Sequence, residues 1–248
     1  MSNPTIPIIK PIEIQTIGVI ESCFRDRFGT PRQSGLIKAS TAKLILNKSL
    51  QPESSLQGLS DYSHLWVIFH FHLNTNLQFH PKVHPPRLGG QSIGLFATRS
   101  PHRPNPIGLS LCKIEEIRNN EIFLSGIDFV DGTPVLDIKP YLPEVEALTE
   151  AKGGWTDHLV AAPVEVRFSE QAAMDLYLWS KRYPREQIML ENLVRQTIVC
   201  DPRPNLYKGY EGEQSKYRNT HAVRLYEGDV HFQFLSATEV EVFQIKIE

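Results

Sequence analysis

Between Ile12 and Ile138 the apolar residues recur at strand spacing, with no helical pattern of roughly 10 to 15 residues between one strand-like run and the next. A doubly wound parallel sheet needs such crossover helices, so their absence argues against it. What remains is an antiparallel-rich arrangement, and a closed or nearly closed barrel would dispose of its sheet edges.

The runs are short. Ile12 to Ser22 carries Ile12, Ile14, Ile17, Val19 and Ile20, an imperfect alternation rich in β-branched residues, and predicts a first strand. Leu36 to Leu46 predicts another strand or pair. Leu59 to His72 turns from a polar start into the aromatic and β-branched run expected of a buried central strand. Ile107 to Ile117 and Glu121 to Ile127 flank Asn119-Asn120, a hairpin signal, and Asp131-Gly132-Thr133-Pro134 reads as a turn into a strand from Val135 to Ile138.

Gly153-Gly154 then marks the best boundary in the chain. Beyond it, Ser169 is placed to cap a helix running to about Tyr183, and Arg185 to Val199 repeats the helical period. Thr220 to Tyr226 and His231 to Leu235 bracket Glu227-Gly228-Asp229 as a second hairpin. Val240 to Ile247 supplies a last strand, whose change of phase at Val242-Phe243 predicts a bulge. The expected fold is a mainly β, non-Rossmann, antiparallel-rich barrel over residues 1–155, followed by a small α+β domain over 156–248.

Pro85 to Leu111 is crowded with residues that fill helices and strands poorly. Five prolines and four glycines shape its backbone, and Arg87, Arg99, His102, Arg103 and Asn105 lie among them. Coincidence of backbone restriction with hydrogen-bond donors is how ligand loops are built on a scaffold. Neither a dinucleotide fingerprint, a P-loop nor a nucleophile elbow occurs in the sequence.

Composition narrows the classes. The longest aliphatic or aromatic run, Leu65 to Phe69, is far short of the roughly 20 residues that span a bilayer. No secretory pattern follows Met1, and Cys23, Cys112 and Cys200 are too scattered for a disulfide framework, so a reducing cytoplasm is the expected compartment. A formal net charge of -2 gives no global attraction to nucleic acid, so any such partner needs a local basic patch. Two rival readings stay open at this point. His64, His70, His72, His80 and His84 invite a metal-dependent hydrolase, and a non-catalytic RNA-binding barrel is the other class.

Six motifs in order carry a resemblance. Pro31-Arg-Gln33, Pro85-Pro-Arg-Leu-Gly-Gly90, Phe96-Ala-Thr-Arg-Ser100, Arg103-Pro-Asn-Pro-Ile-Gly108, Asp131-Gly-Thr-Pro134 and Asp137-Ile-Lys-Pro-Tyr141 resemble the TsaA-like (TrmO) tRNA methyltransferases. The segment from Asp201 to Gly209 resembles the C-terminal domain of bacterial members. The resemblance implies a single barrel that binds S-adenosylmethionine without metal, works as a homodimer, and methylates N6 of N6-threonylcarbamoyladenosine at position 37 of threonine tRNA. By the same resemblance the cofactor site comprises Pro31, Arg32, Gln33, His72, Leu73, Arg99, Leu109, Asp131, Gly132, Thr133 and Pro134. Side-chain chemistry adds expectations of its own: Asn105 or Asp137 to position or accept the N6 proton, and Arg103 or Lys139 to hold the threonyl carboxylate. Arg203, Tyr207 and Lys208 offer phosphate contacts and a stacking ring for an anticodon loop.

Overall fold

The alternation along the first half of the chain closes on itself. A computed structural model describes residues 12–75, 78–157, 163–182, 187–203 and 219–248. In chain order the first half holds β1 (Gly18–Ser22), β2 (Thr41–Leu46), a short α1 (Pro52–Ser55), β3 (His64–His70), β4 (Lys82–Val83), β5 (Ile93–Gly94), β6 (Ile107–Arg118), β7 (Glu121–Ser125), β8 (Pro134–Pro140) and a short α2 (Pro143–Glu146). The second half holds β9 (Glu165–Phe168), α3 (Glu170–Ser180), α4 (Gln187–Val199), β10 (Thr220–Leu225), β11 (Gly228–Phe234) and β12 (Glu239–Ile247).

Strands β1-β2-β7-β6-β3-β8 form a closed barrel in which every neighbouring pair is antiparallel. Closure leaves no unpaired strand edge. Period-two patterning sends Leu65, Val67 and Phe69 of β3 into the interior with Ile20, Leu44, Ile122, Leu124 and Val135, all at most 3% exposed. Each such side chain contributes roughly 1.5–3 kcal/mol by leaving water. The apolar run of β3 is therefore buried on one face only. It is central in pairing both β6 and β8, yet Trp66 and Ile68 lie half-exposed on the outer wall, because a barrel covers its strands from inside alone.

Three strands of the first half differ from the sequence reading at their starts: β3 begins only at His64, because Leu59–Asp61 forms a 3-10 turn ahead of it. Ile12 and Ile14 stand 81% and 53% exposed ahead of β1, since Gly18 already pairs with the end of β2 and with Val135, leaving these residues no ladder to join. Residues Leu36 to Ser40 remain loop. In β8 a register shift opposite Ile68-Phe69 leaves Leu136 without a partner on β3. This bulge sets Val135 opposite Phe69 and Asp137 opposite Ile68, so Asp137 faces outward where unbroken alternation from Val135 would have turned it in.

The second half is an open sheet in the order β10-β11-β12-β9, with only the β12–β9 pair parallel. Ser169 caps α3 as expected, its hydroxyl accepting from Ala172 N at 3.1 Å. The bulge expected in β12 is present: Phe232 faces Val242 and His231 faces Gln244, which leaves Phe243 over. The second hairpin turns at Tyr226-Glu227, and Gly228-Asp229 already belong to β11. Helices α3 and α4 pack on β12 and β9, burying Trp179, Leu190, Leu193, Val194 and Ile198 completely.

The apparent boundary near Gly153-Gly154 does not separate two cores. One continuous cluster of buried side chains runs from barrel to sheet. Phe24 bridges to Leu225, Tyr226 N donates to Cys23 O at 2.7 Å, the Tyr226 hydroxyl bonds that of Thr41, and Ala39 N donates to Gln196 Oε1 at 3.1 Å. Gly29, at φ +94°, lies so close to Val223 that a Cβ there would collide with it.

Candidate functional site

Antiparallel pairing fixes where the long connections emerge. Chain segments 23–40, 71–106 and 126–133 all leave the same end of the barrel, from the end of β1, β3 and β7 to the start of β2, β6 and β8. The opposite end carries the Asn119-Asn120 turn and segment 47–63. Most of the residues expected to bind cofactor lie on the first set of loops.

The three loops are tied together. Arg99 Nη1 donates to Gln33 Oε1 at 2.7 Å, joining the second loop to the first. Arg27 Nη1 reaches Leu73 O at 3.5 Å. Asp131 Oδ1 accepts from Ser22 N at 2.8 Å, and its other oxygen pairs with Arg25 Nη1 at 2.6 Å, joining the third loop to the first. Gly35 N donates to Gly126 O at 2.8 Å. The turn itself closes through Thr133 Oγ1 donating to Val130 O at 2.6 Å, while Gly132 at φ +77° takes the left-handed conformation that favours glycine.

Beneath the loops lies an aromatic floor. Phe69 meets Phe71 and Phe129 edge-on, each at 4.9 Å between ring centres. Gly108 makes room for it, because any Cβ at that position would enter the Phe69 ring. His72 follows this floor directly, and burial together with the neighbouring His70 lowers its basicity, which favours the neutral ring near neutral pH.

Asp128 was not foreseen. Ser110 of β6 donates to its Oδ1 at 2.5 Å. Burial pushes its carboxyl up to about 6, against the pull of that hydrogen bond and of the Arg99 charge. The available signal was an acidic residue set between Ile127 and Phe129, both buried, opposite an inward serine in an otherwise apolar run.

Other expected residues lie apart from this cluster. Leu109 is on the outer wall of β6, 52% exposed beside Ile68. Asp137 and Lys139 also face outward and pair with each other at 2.9 Å. Arg103 donates to Thr98 O at 2.9 Å and lies over the exposed Phe96 ring at 5.5 Å, while Asn105 sits exposed on the same loop. Arg203 requires a correction. Its side chain is 4% exposed, paired with Asp201 at 2.8 Å and stacked over Phe234 at 3.3 Å, so it braces the C-terminal unit and is not presented to a phosphate. Tyr207 and Lys208 lie outside the described residues. Among the described residues no three His, Cys, Asp or Glu side chains gather as a metal site. His64 and His70 line the outside of β3, His64 beside Ser63 at 2.9 Å, and His80 and His84 are exposed in the second loop. No helix among the described residues is long and apolar enough to cross a membrane.

Comparison with known proteins covers both halves of the chain. The family model described as the tRNA-methyltransferase O N-terminal domain matches residues 19–147, and that of the TrmO C-terminal domain matches residues 161–248. An Escherichia coli tRNA (adenine(37)-N6)-methyltransferase is 38% identical over 239 residues, covering 94% of this chain and 97% of that protein. A Pseudomonas aeruginosa protein provisionally described as the S-adenosylmethionine-dependent methyltransferase RcsF is 38% identical over 235 residues, covering 94% and 96%. The crystal structure of TrmO from Pseudomonas aeruginosa superposes with a TM-score of 0.77 at 31% identity, covering 96% of this chain and 99% of that one.

Proposed function

The chain belongs to the tRNA-methyltransferase O family, and from that premise we propose that it is an S-adenosylmethionine-dependent methyltransferase acting on N6 of adenosine 37 in tRNA. The observation that carries the reading is the gathering of three loops at one barrel end, laced by Arg99–Gln33 and by Asp131 with Arg25 and Ser22. The donor set suits the cofactor. Arg99 provides a cation for a carboxylate, loop backbone and Gln33 provide amide groups for a base, and the Phe69–Phe71–Phe129 floor provides apolar cover. Pro31 to Gln33, His72, Leu73, Arg99 and Asp131 to Pro134 are the residues assigned to hold it. When bound, S-adenosylmethionine supplies an electrophilic methyl group on a sulfonium.

The protein's share of the work is alignment, because an in-line displacement gains most from holding the attacking nitrogen and the methyl carbon in register. The rigid proline-rich turns around Arg103 and Asn105 provide one wall for the nucleoside, and Arg103 is assigned to the carboxylate of a threonylcarbamoyl group on that adenosine. Asn105, on that loop, is assigned to position the N6 proton, whereas Asp137 faces the outer wall and pairs with Lys139; if Asn105→Ala folds and keeps wild-type turnover, that assignment falls.

Division of labour completes the proposal: residues 1–155 bind cofactor, while 156–248, including Tyr207 and Lys208, contact the anticodon loop. A second copy of the chain is the proposed cover for the outer wall of β3 and β6, where Ile107 and Leu109 are 38% and 52% exposed next to half-exposed Trp66, Ile68 and Leu111. Sedimentation velocity checks the dimer. Work inside the cytoplasm follows from such a substrate.

The deciding experiment incubates the purified protein with methyl-labelled S-adenosylmethionine and threonine tRNA carrying or lacking the threonylcarbamoyl group. Label should enter only the modified tRNA, at position 37. Equal labelling of both would overturn the substrate, and no labelling of either would overturn the activity. Arg99→Ala should weaken cofactor binding by calorimetry roughly 10- to 100-fold, as expected for losing one charge-assisted contact.

A further inference from the structure

β1 ends at Ser22, and the chain just after it is held from two sides. On one side lies the turn from Asp131 to Pro134: Asp131 N donates to Phe24 O at 2.9 Å, Gly132 N donates to Ile20 O at 2.9 Å, and Asp131 Oδ1 accepts from Ser22 N at 2.8 Å. On the other lies the β10–β11 hairpin, where Tyr226 N donates to Cys23 O at 2.7 Å and Leu225 bridges to Phe24. One side chain touches both. Arg25 Nη1 donates to Asp131 Oδ2 at 2.6 Å, and its Nε donates to Tyr226 O at 3.1 Å. The cleft that this arginine lines, about 240 Å³ in volume, is lined otherwise by residues of that hairpin and by Glu248.

We propose that Arg25 is a positioning residue for cofactor binding: it clamps the Asp131–Pro134 turn to the Tyr226 carbonyl, so that the C-terminal unit sets the pose of one wall of the cofactor site. The proposal rests on the reading of this barrel end as the S-adenosylmethionine site. Each carboxylate oxygen of Asp131 already has a donor from the scaffold, Ser22 N or Arg25 Nη1. This side chain therefore anchors the turn, and what the turn offers a ligand is its backbone and the residues Gly132 to Pro134. A planar guanidinium suits the clamp, because Nε and Nη1 meet acceptors on two segments at once, whereas a lysine presents a single nitrogen. The ion pair itself adds little to folding. Its side chains are 48% and 30% exposed, so solvent screens the attraction. Loss of the clamp should therefore show in ligand affinity before it shows in melting.

The test titrates the full-length protein with S-adenosylmethionine by calorimetry, using wild type, Arg25→Ala, Arg25→Lys, Asp131→Asn, Tyr226→Phe and the pairs of Arg25→Ala with each of the last two. Arg25→Ala should lower affinity roughly tenfold, and Arg25→Lys, which keeps the charge without the fork, should recover no more than about twofold of that. Arg25→Ala/Asp131→Asn should bind within about twofold of the weaker single variant. Tyr226→Phe, which frees the hairpin from Thr41, should lower affinity by a smaller factor, and that effect should vanish in the Arg25→Ala background. In steady state the KM for S-adenosylmethionine should rise in Arg25→Ala while kcat and the KM for tRNA hold, with melting close to that of wild type. Wild-type affinity in Arg25→Ala, full recovery in Arg25→Lys, or full additivity with Asp131→Asn or Tyr226→Phe overturns the proposal. A rise confined to the KM for tRNA also overturns it, and makes Arg25 an RNA contact. If Arg25→Ala fails to fold, the arginine is structural and the proposal falls unless Arg25→Lys, folded, raises the KM for S-adenosylmethionine with kcat held. Absence of binding by wild type overturns this inference together with the function it rests on, which separates that failure from the others.

Discussion

The barrel and the C-terminal unit solve the problem of sheet edges differently. The barrel pairs β1 with both β2 and β8, and so finishes its own hydrogen bonding. The sheet of β9 to β12 stays open, and it leans on its neighbour: β10 ends against the first barrel loop through the Phe24–Leu225 bridge, with Tyr226 anchored to Cys23 and Thr41. That same loop carries Pro31 to Gln33. One connection is therefore a wall of the candidate site on one side and a docking surface on the other. The barrel completes its own hydrogen bonding, whereas the C-terminal unit leans on it and backs the site, within one shared core.

The strongest test of this asymmetry is Trp179→Ala. Trp179 is fully buried, donates to Glu227 at 2.9 Å and packs against Gly228. Its truncation should cost about 3–5 kcal/mol. Limited proteolysis with mass spectrometry should then recover an intact barrel fragment without the C-terminal sheet; loss of both in one step would make the chain a single cooperative unit. Next comes Gly29→Ala, which demands a left-handed alanine against Val223 and should cost about 1–3 kcal/mol in chemical denaturation. Because Gly29 is two residues from Pro31, cofactor affinity should fall with it. Unchanged affinity at reduced stability would separate the docking surface from the site.

Tyr226→Phe removes only the hydroxyl bonded to Thr41 and should cost about 1 kcal/mol, read as a lowered melting temperature. The smallest effect is kinetic. Burial pushes the Cys23 thiol up to about 12, Cys112 well above its ordinary range and Cys200 upward, so all three resist alkylation at pH 8. Cys200, the least buried, should react first; Cys23, at the junction, should follow on opening of the C-terminal unit; Cys112, inside the barrel, should wait for global unfolding. Simultaneous reaction of Cys23 and Cys112 would show that the junction does not open by itself.

Much was legible from residue order. Period-two alternation in β2 and β3, the Asn119-Asn120 hairpin, the Ser169 cap and the β12 bulge are all local or nearly local, so the chain states them directly. The motifs naming the three site loops are contiguous strings, and strings suffice for a family. What the chain left silent depends on pairings between distant segments. The bulge at Leu136 turns Asp137 outward only because β3 offers no partner there. Arg203 reads like any exposed cation in a proline-rich stretch until Asp201 and Phe234 enclose it.

Asp128 is the sharpest case, since the partner of its carboxylate is Ser110, 18 residues back on β6, and local order carries no record of that meeting. The boundary at Gly153-Gly154 is another: composition marks a break in pattern, while burial ignores it. Sequence by itself determined strand periodicity, turns, caps and family. Tertiary structure decided which loops share one barrel end, which charges are already neutralised, and that the two halves form one core, because closure and burial are properties of many segments at once.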